Sequence, residues 1–274
     1  DKYSTILKKV LGKIKPAEND EKEINKIIYG FLSNFHKNDL TAIVGGSLAK
    51  NTNVKGNYDV DIFVLFPEKY RDADLSKLLK DILKKTFKRF TVLHGSRDYF
   101  QIKKGKYTLE IIPVLKISKA EDAKNIMDIS PLHVSWVRKN MDKLNDDVRL
   151  AKQFCFANNV YGAESYIGGF SGYVLELLVI YYCGFNNLVK AAARWKEKEV
   201  IDISNYYNKD ALKLLNKSKT YSPLIVIDAI QKDRNAAAAL TLAKFNKFVN
   251  ICRLYLKKPS LRFFEREEIK IKDL

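Results

Sequence analysis

The strand-like runs of this chain all lie before about residue 118; beyond that point apolar residues recur almost wholly at helical spacing. Asp39–Val44 leads β-branched Ile43 and Val44 into Gly45-Gly46-Ser47. Val60–Phe66, apolar except for Asp61 and preceded by an Asn57-Tyr58-Asp59 turn, reads as a buried strand. Phe100–Lys103 and Tyr107–Leu115 read as two more strands, joined by Lys104-Gly105-Lys106. Amphipathic helices accompany them: Ser4–Lys15, ended by Pro16; a second from about Asp20; and Leu75–Phe90, with a lysine-rich outer face. Later, Pro131–Lys143, Asp146–Asn158, Phe170–Cys183, Asn187–Trp195 and Leu240–Tyr255 read as helices. The expectation is an α+β chain, with a mixed sheet and helices over residues 1–118 and an α-helical domain over 119–274.

The length of 274 residues fits about two domains. Lys and Arg number 49 against 32 Asp and Glu, a net charge of +17. A polyanion is therefore the expected partner, either nucleic acid or an anionic membrane surface. The longest charge-free run, Leu177–Val189, has 13 residues and includes Asn186-Asn187, whereas a membrane span needs about twenty apolar residues, so none is expected. The charged, amphipathic first residues do not resemble a signal peptide. Cys155, Cys183 and Cys252 are odd in number, far apart and set in apolar helical patterns, which suggests buried reduced thiols and a cytoplasmic location. The 3 histidines are too scattered for a His-rich zinc site.

Chemistry concentrates in two stretches, Gly45-Gly46-Ser47-Leu48-Ala49-Lys50 and Asp59-Val60-Asp61. A glycine pair and serine opening a short helix after a strand offer backbone N–H groups and a hydroxyl to an anion, and Lys50 adds charge one turn later. Asp59 and Asp61, at i and i+2 of a strand, place both carboxylates on one face. Close carboxylates repel, which raises a pKa or recruits an oxygen-loving cation such as Mg²⁺. Glu110, in a later strand, supplies a third carboxylate if that strand pairs with the first. Each part alone has a plainer reading, since Gly-Ser and Asp-x-Asp are common in solvated turns. The combination is what carries the argument.

Together these residues resemble the DNA polymerase β-like nucleotidyltransferase superfamily, whose signature is G-S followed by [DE]-x-[DE]. The resemblance narrows to the class I, archaeal-type CCA-adding tRNA nucleotidyltransferases through Gly46–Thr52, Asp59–Pro67, Asp128–His133, Asp147–Lys152, Val160–Glu164, Gly168–Leu178 and Arg234–Ala237. It runs over roughly residues 3–265. It implies a nucleotidyltransferase head followed by a helical neck that contacts nucleotide and RNA. It also implies template-independent addition of C and A from CTP and ATP to the 3′ end of tRNA, by attack of the 3′-OH on the α-phosphorus with release of pyrophosphate. Carried over, Asp59, Asp61 and Glu110 become catalytic carboxylates holding two Mg²⁺ ions, with Mn²⁺ as a substitute. Gly46, Ser47 and Lys50 fall at the triphosphate, His133, Lys152 and Tyr161 at further nucleotide contacts, and Arg234 near the base and RNA backbone. Residue by residue, His133 can instead pack a helix start, Tyr161 the core and Lys152 a solvated face, while Arg234 can pair with neighbouring Asp233.

Three departures stand out: Lys50 where the family commonly has arginine, Glu110 where aspartate is usual, and an end at Leu274 where the family continues into body and tail domains. The expectation is thus a head-and-neck core binding tRNA or tRNA-like RNA, with a homodimer or separate tail subunit as possible support. Other RNA-tailing or oligonucleotide-synthesising activities, or a catalytically weak RNA-binding subunit, are the alternatives.

Overall fold

The computed structural model describes residues 2–35 and 40–266. Asp39, at the start of the first expected strand, lies outside the described residues. The chain divides into two compact units, one formed by residues 16–138 and the other by residues up to 15 together with those from 139 onward. The first helix, α1 (Lys2–Ile14), thus counts with the C-terminal residues, and residues 119–138 with the sheet.

The first unit contains α2 (Glu18–Leu32), β1 (Thr41–Val44), α3 (Gly46–Ala49), β2 (Asp59–Phe66), α4 (Leu75–Thr86), β3 (Thr91–Leu93), β4 (Tyr99–Lys104), β5 (Tyr107–Leu115) and most of α5 (Ser130–Asn140). Its five strands are ordered β1-β2-β5-β4-β3, with β2 and β5 parallel and the other pairs antiparallel. The period of two along β2 determines what each face does. Val60, Ile62, Val64 and Phe66 point to one side and pack with Leu109 and Ile111 of β5, Ile24, Ile28 and Phe31 of α2, and Leu75, Leu79 and Leu83 of α4. The opposite face carries Asp59, Asp61 and Phe63, and Phe63 packs with Ile112, Val114 and α5 residue Val134. Both faces are covered, which is why β2 reads as an almost unbroken apolar run.

Asp74 caps α4, its carboxylate accepting from Lys77 N at 3.0 Å. The helix ends at Thr86, although the apolar pattern continues to Phe90. Phe87 is extended (φ −125°, ψ 132°) and stacks on Phe31 with ring centroids 5.1 Å apart, so packing overrides the helical periodicity there.

The second unit adds α6 (Asn145–Ala157), α7 (Gly172–Tyr181), α8 (Phe185–Ala192), β6 (Glu199–Asp202), α9 (Ala211–Leu214), β7 (Leu224–Ile227) and α10 (Leu242–Lys257) to α1. Phe154 of α6 lies at its centre, with ring contacts to Phe185, Phe248, Tyr255 and Phe264. Val174–Val179 of α7 are all buried. Ser171 caps α7 and Thr241 caps α10. Asp147 Oδ1 accepts from Phe185 N at 2.8 Å, capping α8 from a different helix.

The unit is not wholly helical. β6 and β7 form a parallel two-stranded sheet over a satellite core of Ala211, Leu215, Ile225 and Ile227. The cue was Leu224-Ile225-Val226-Ile227, a β-rich run between Pro223 and Asp228, but its partner β6 has only Val200 and Ile201 to mark it. Cys155 and Cys252 are buried as expected, whereas Cys183, at a left-handed position (φ 55°) after α7, is exposed. Among the described residues no single helix is long and apolar enough to cross a membrane.

Candidate active site

The geometry of the first unit's site begins at the end of β1. Gly45 N donates to Asp61 O at 2.8 Å, continuing the β1–β2 pairing by one residue. A Cβ on Gly45 would fall 2.2 Å from the Phe63 ring. At Gly46 (φ +55°) the chain turns into α3, and a Cβ there would lie 1.6 Å from Asp61 Oδ2. Only glycine satisfies both the left-handed backbone and this close approach. The glycine pair therefore does more than turn the chain, because it lets the Ser47 segment close directly over the Asp61 carboxylate. Thr52 N donates back to Ser47 O at 2.9 Å, and Lys50 is buried in the same turn.

Asp61 and Glu110 are direct partners in the parallel β2–β5 register, so both side chains occupy the same sheet face. Burial is the main cause pushing the Asp61 carboxyl up to about 6, and the Glu110 charge adds to it. Lys50 pulls in the other direction, and Asp59 again raises it. On the far side Glu110 is the register partner of Gln101 on β4, whose Nε2 donates to Glu110 Oε1 at 2.7 Å. Tyr99 also lies near this group, its phenol raised by burial and by the charges of Glu110 and Asp61. The sequence reading missed Gln101 and Tyr99, because only the strand register reveals them.

His133 lies in the first turn of α5. The Asp128 carboxylate fixes this helix start relative to β5, accepting from Leu115 N (2.8 Å), Lys124 N (3.1 Å), Asn125 N (2.9 Å) and Arg97 Nη1 (2.5 Å). The Asp128–His133 motif thus opens with a fully buried structural anchor.

Among the described residues no group of three His, Cys, Asp or Glu side chains is assembled as a metal centre. The donor chemistry nevertheless fits one. Asp61 and Glu110 stand side by side on one face of neighbouring strands, and Asp59 lies exposed on the same face of β2. Such an all-oxygen set suits a hard divalent cation.

In the second unit, Lys152 and Tyr161 converge on the first turn of α7. A Cβ on Gly172 would lie 3.2 Å from the Tyr161 hydroxyl and 3.6 Å from Lys152 Nζ. Lys152 is buried, not on a solvated face, and its Nζ is 3.5 Å from Oε1 of fully buried Glu176. Burial first, then the charge of Glu176, pushes the Tyr161 phenol up to about 12. Arg234 does not pair with Asp233, which instead accepts from the Tyr207 hydroxyl at 3.0 Å. Its Nη1 donates to Asp228 Oδ2 at 2.5 Å. Asp228 is fully buried and also accepts from Ile230 N, Gln231 N and the Tyr173 hydroxyl. Sequence reasoning gave no role to Glu176 or Asp228. Glu176 lay within the recognised block as an acid among leucines, which is itself a cue, whereas Asp228 offered none.

Residues 24–133 match the nucleotidyltransferase domain family, and residues 146–265 match the second domain of tRNA nucleotidyltransferases. The CCA-adding enzyme of Nanoarchaeum equitans is 44% identical over 220 residues, 80% of this chain and 56% of that enzyme. The CCA-adding enzyme of Methanocaldococcus jannaschii is 34% identical over 285 residues, 98% of this chain and 63% of that enzyme. The chain thus spans between half and two thirds of the length of these relatives. A crystal structure of the Cid1 poly(U) polymerase is similar in fold, with a TM-score of 0.75 at 16% identity over 97% of this chain and 99% of that one. A nucleotidyltransferase domain and the second domain of tRNA nucleotidyltransferases thus occur in order along the chain, and archaeal CCA-adding enzymes are similar to it over most of its sequence.

Proposed function

We propose that this chain transfers nucleotides from CTP and ATP to the 3′ end of tRNA or tRNA-like RNA, without a template, in the cytoplasm. The observation that carries this reading is the Asp61–Glu110 pair, set across parallel strands beneath the Gly46-Ser47 turn. Nucleotidyltransferases of this kind use divalent metal, and here Asp59, Asp61 and Glu110 would hold Mg²⁺, with Mn²⁺ as a substitute. Bound there, the metal supplies charge stabilisation at the phosphorus and lowers the pKa of the attacking hydroxyl.

The chain's own residues supply the positioning that dominates phosphoryl-transfer catalysis. The N–H groups around Gly46, the Ser47 hydroxyl and Lys50 bind the triphosphate. Lys50 provides charge without the bidentate fork of an arginine. Gln101 fixes the carboxylate of Glu110, whose side chain is one methylene longer than the usual aspartate. His133, at the start of α5 in the first unit, and Lys152 and Tyr161 in the second are the further nucleotide contacts, with Lys152 and Tyr161 oriented by Glu176 and the α7 turn. Arg234, pinned by Asp228, faces the base and RNA backbone.

The test uses Mg²⁺, each NTP separately, and tRNAs ending before the first C, after CC, or complete, with the products sequenced. Addition of C, C and A followed by a stop is expected. Unbounded A-tailing would overturn the substrate assignment, and incorporation undiminished in Asp61→Ala would overturn the site.

A further inference from the structure

We propose that the groove at the C-terminal end of α10 is a phosphate-binding site for the RNA backbone. The proposal rests on the reading above that the substrate is RNA. The groove is open, about 680 Å³ in volume, and lies wholly within the second unit. It shares no residue with the Lys152–Tyr161–Glu176 cluster. The last turns of α10 form one wall with Leu254, Lys257 and Lys258, the Ser260–Phe263 turn forms the other with Arg262 and Phe263, and Asn158 closes the base.

Three features set it apart from an ordinary solvated basic face. First, it is built rather than loose. Asn158 Nδ2 donates to Phe154 O at 2.7 Å and to Phe263 O at 2.8 Å, and Gln153 Nε2 donates to Phe264 O at 2.6 Å. These bonds hold the turn carrying Arg262 and Phe263 against α6. Phe263 is held further by its ring contacts with Phe154, at 6.2 Å, and Tyr255, at 5.4 Å. Second, the charged residues that line it are all cations: Lys257, Lys258 and Arg262. Lys257 and Lys258 are exposed, and their ammonium groups enter no hydrogen bond or ion pair among the described residues. The nearby acid Glu265 is paired with Lys13 at 2.8 Å. Third, the cations flank apolar surface, with Leu254 48% exposed and Phe263 half-buried.

A rigid concave surface pairing cations with an aromatic ring matches the chemistry of a nucleic-acid strand, in which phosphates meet the cations and a base can lie on the ring. The lysine stripe of α4 has the charge but no such concavity, since Lys77, Lys80 and Lys84 stand on the outer face of a helix.

The experiment measures binding of a 5′-fluorescein tRNA transcript lacking its 3′-terminal CCA, over a range of KCl concentrations and without nucleotide. Wild type is compared with Lys257→Gln/Lys258→Gln/Arg262→Gln and with a control, Lys77→Gln/Lys80→Gln/Lys84→Gln, that neutralises equal charge. The groove variant is expected to lose roughly tenfold or more in affinity, and its log K against log salt slope to flatten by about two to three units. Its KM for CTP at saturating RNA is expected to stay unchanged. A 4-thiouridine transcript should crosslink to the Leu254–Phe263 peptide. If wild type does not bind the transcript, the RNA reading itself fails. If wild type binds and the groove variant keeps both affinity and slope, only the groove assignment fails. Equal losses in the α4 control would show bulk charge at work and overturn the site. Poly-glutamate binding dependent on the three groove residues, without an RNA crosslink, would assign the groove to an acidic protein and overturn it as well.

Discussion

Asp61 shows how much one side chain reveals once its neighbours are fixed. Its carboxyl, ordinarily at 3.8, is pushed up to about 6 mainly by burial and then by Glu110. The folded protein therefore binds this proton more tightly than the unfolded chain. The stabilising contribution is complete below 3.8 and is lost as pH rises through about 6. In metal-free buffer, Asp61→Asn removes that loss. Its stability advantage over wild type should grow between 3.8 and about 6 and then level off, as read by urea unfolding across pH. At neutral pH the gain is on the order of 3 kcal/mol, while nucleotide incorporation falls to background. Gly46→Ala tests the same carboxylate from the opposite side. Its methyl would collide with Asp61 Oδ2 at a left-handed backbone position. The expected cost is about 1–2 kcal/mol of stability, and a misplaced carboxylate lowers kcat by roughly 100-fold, measurable in the same incorporation assay. The Asp-x-Asp spacing, and so the shared face of Asp59 and Asp61, was readable from the alternation of a strand. The contact between Gly46 and Asp61 was not, because it joins two elements through a close approach that no pattern encodes.

At the scale of elements, the first turn of α7 organises the helical unit. Gly172 admits Tyr161 and Lys152 on one side, and Tyr173 reaches Asp228, the partner of Arg234, on the other. Asp228→Asn preserves an oxygen for the Ile230 and Gln231 N–H groups but places an amide against the guanidinium. KM for CTP and ATP is expected to rise about tenfold, the size of one lost charge-assisted hydrogen bond, with kcat nearly unchanged in steady-state kinetics. Asp147→Ala removes the acceptor for Phe185 N at the start of α8. It should cost about 1 kcal/mol in thermal or denaturant unfolding and leave nucleotide KM alone. Helices whose apolar face meets a single neighbour, such as α4, were legible from periodicity, although its last turn yielded to Phe87 packing. β6 and β7 were not, because a four-residue strand has too few residues to establish a period and its pairing is non-local.

At the scale of the whole molecule, a net charge of +17 predicts RNA affinity that falls steeply with salt, checked by titrating tRNA at increasing KCl. Nearly equal affinity at low and physiological salt would contradict this. Charge, the α+β class and the G-S…D-x-D signature were readable from composition and local spacing, since each depends on residue type or on near neighbours in the chain. Tertiary structure alone decided that β2 and β5 run parallel with Asp61 opposite Glu110, and that Gln101 holds the longer Glu110 side chain. It also decided that Arg234 is held by Asp228 and not by adjacent Asp233, and that Lys152 is buried against Glu176. The physical reason is common to all four. Strand register, ion-pair choice and burial depend on which distant segments pack together, and those contacts join residues that local sequence patterns leave unconnected.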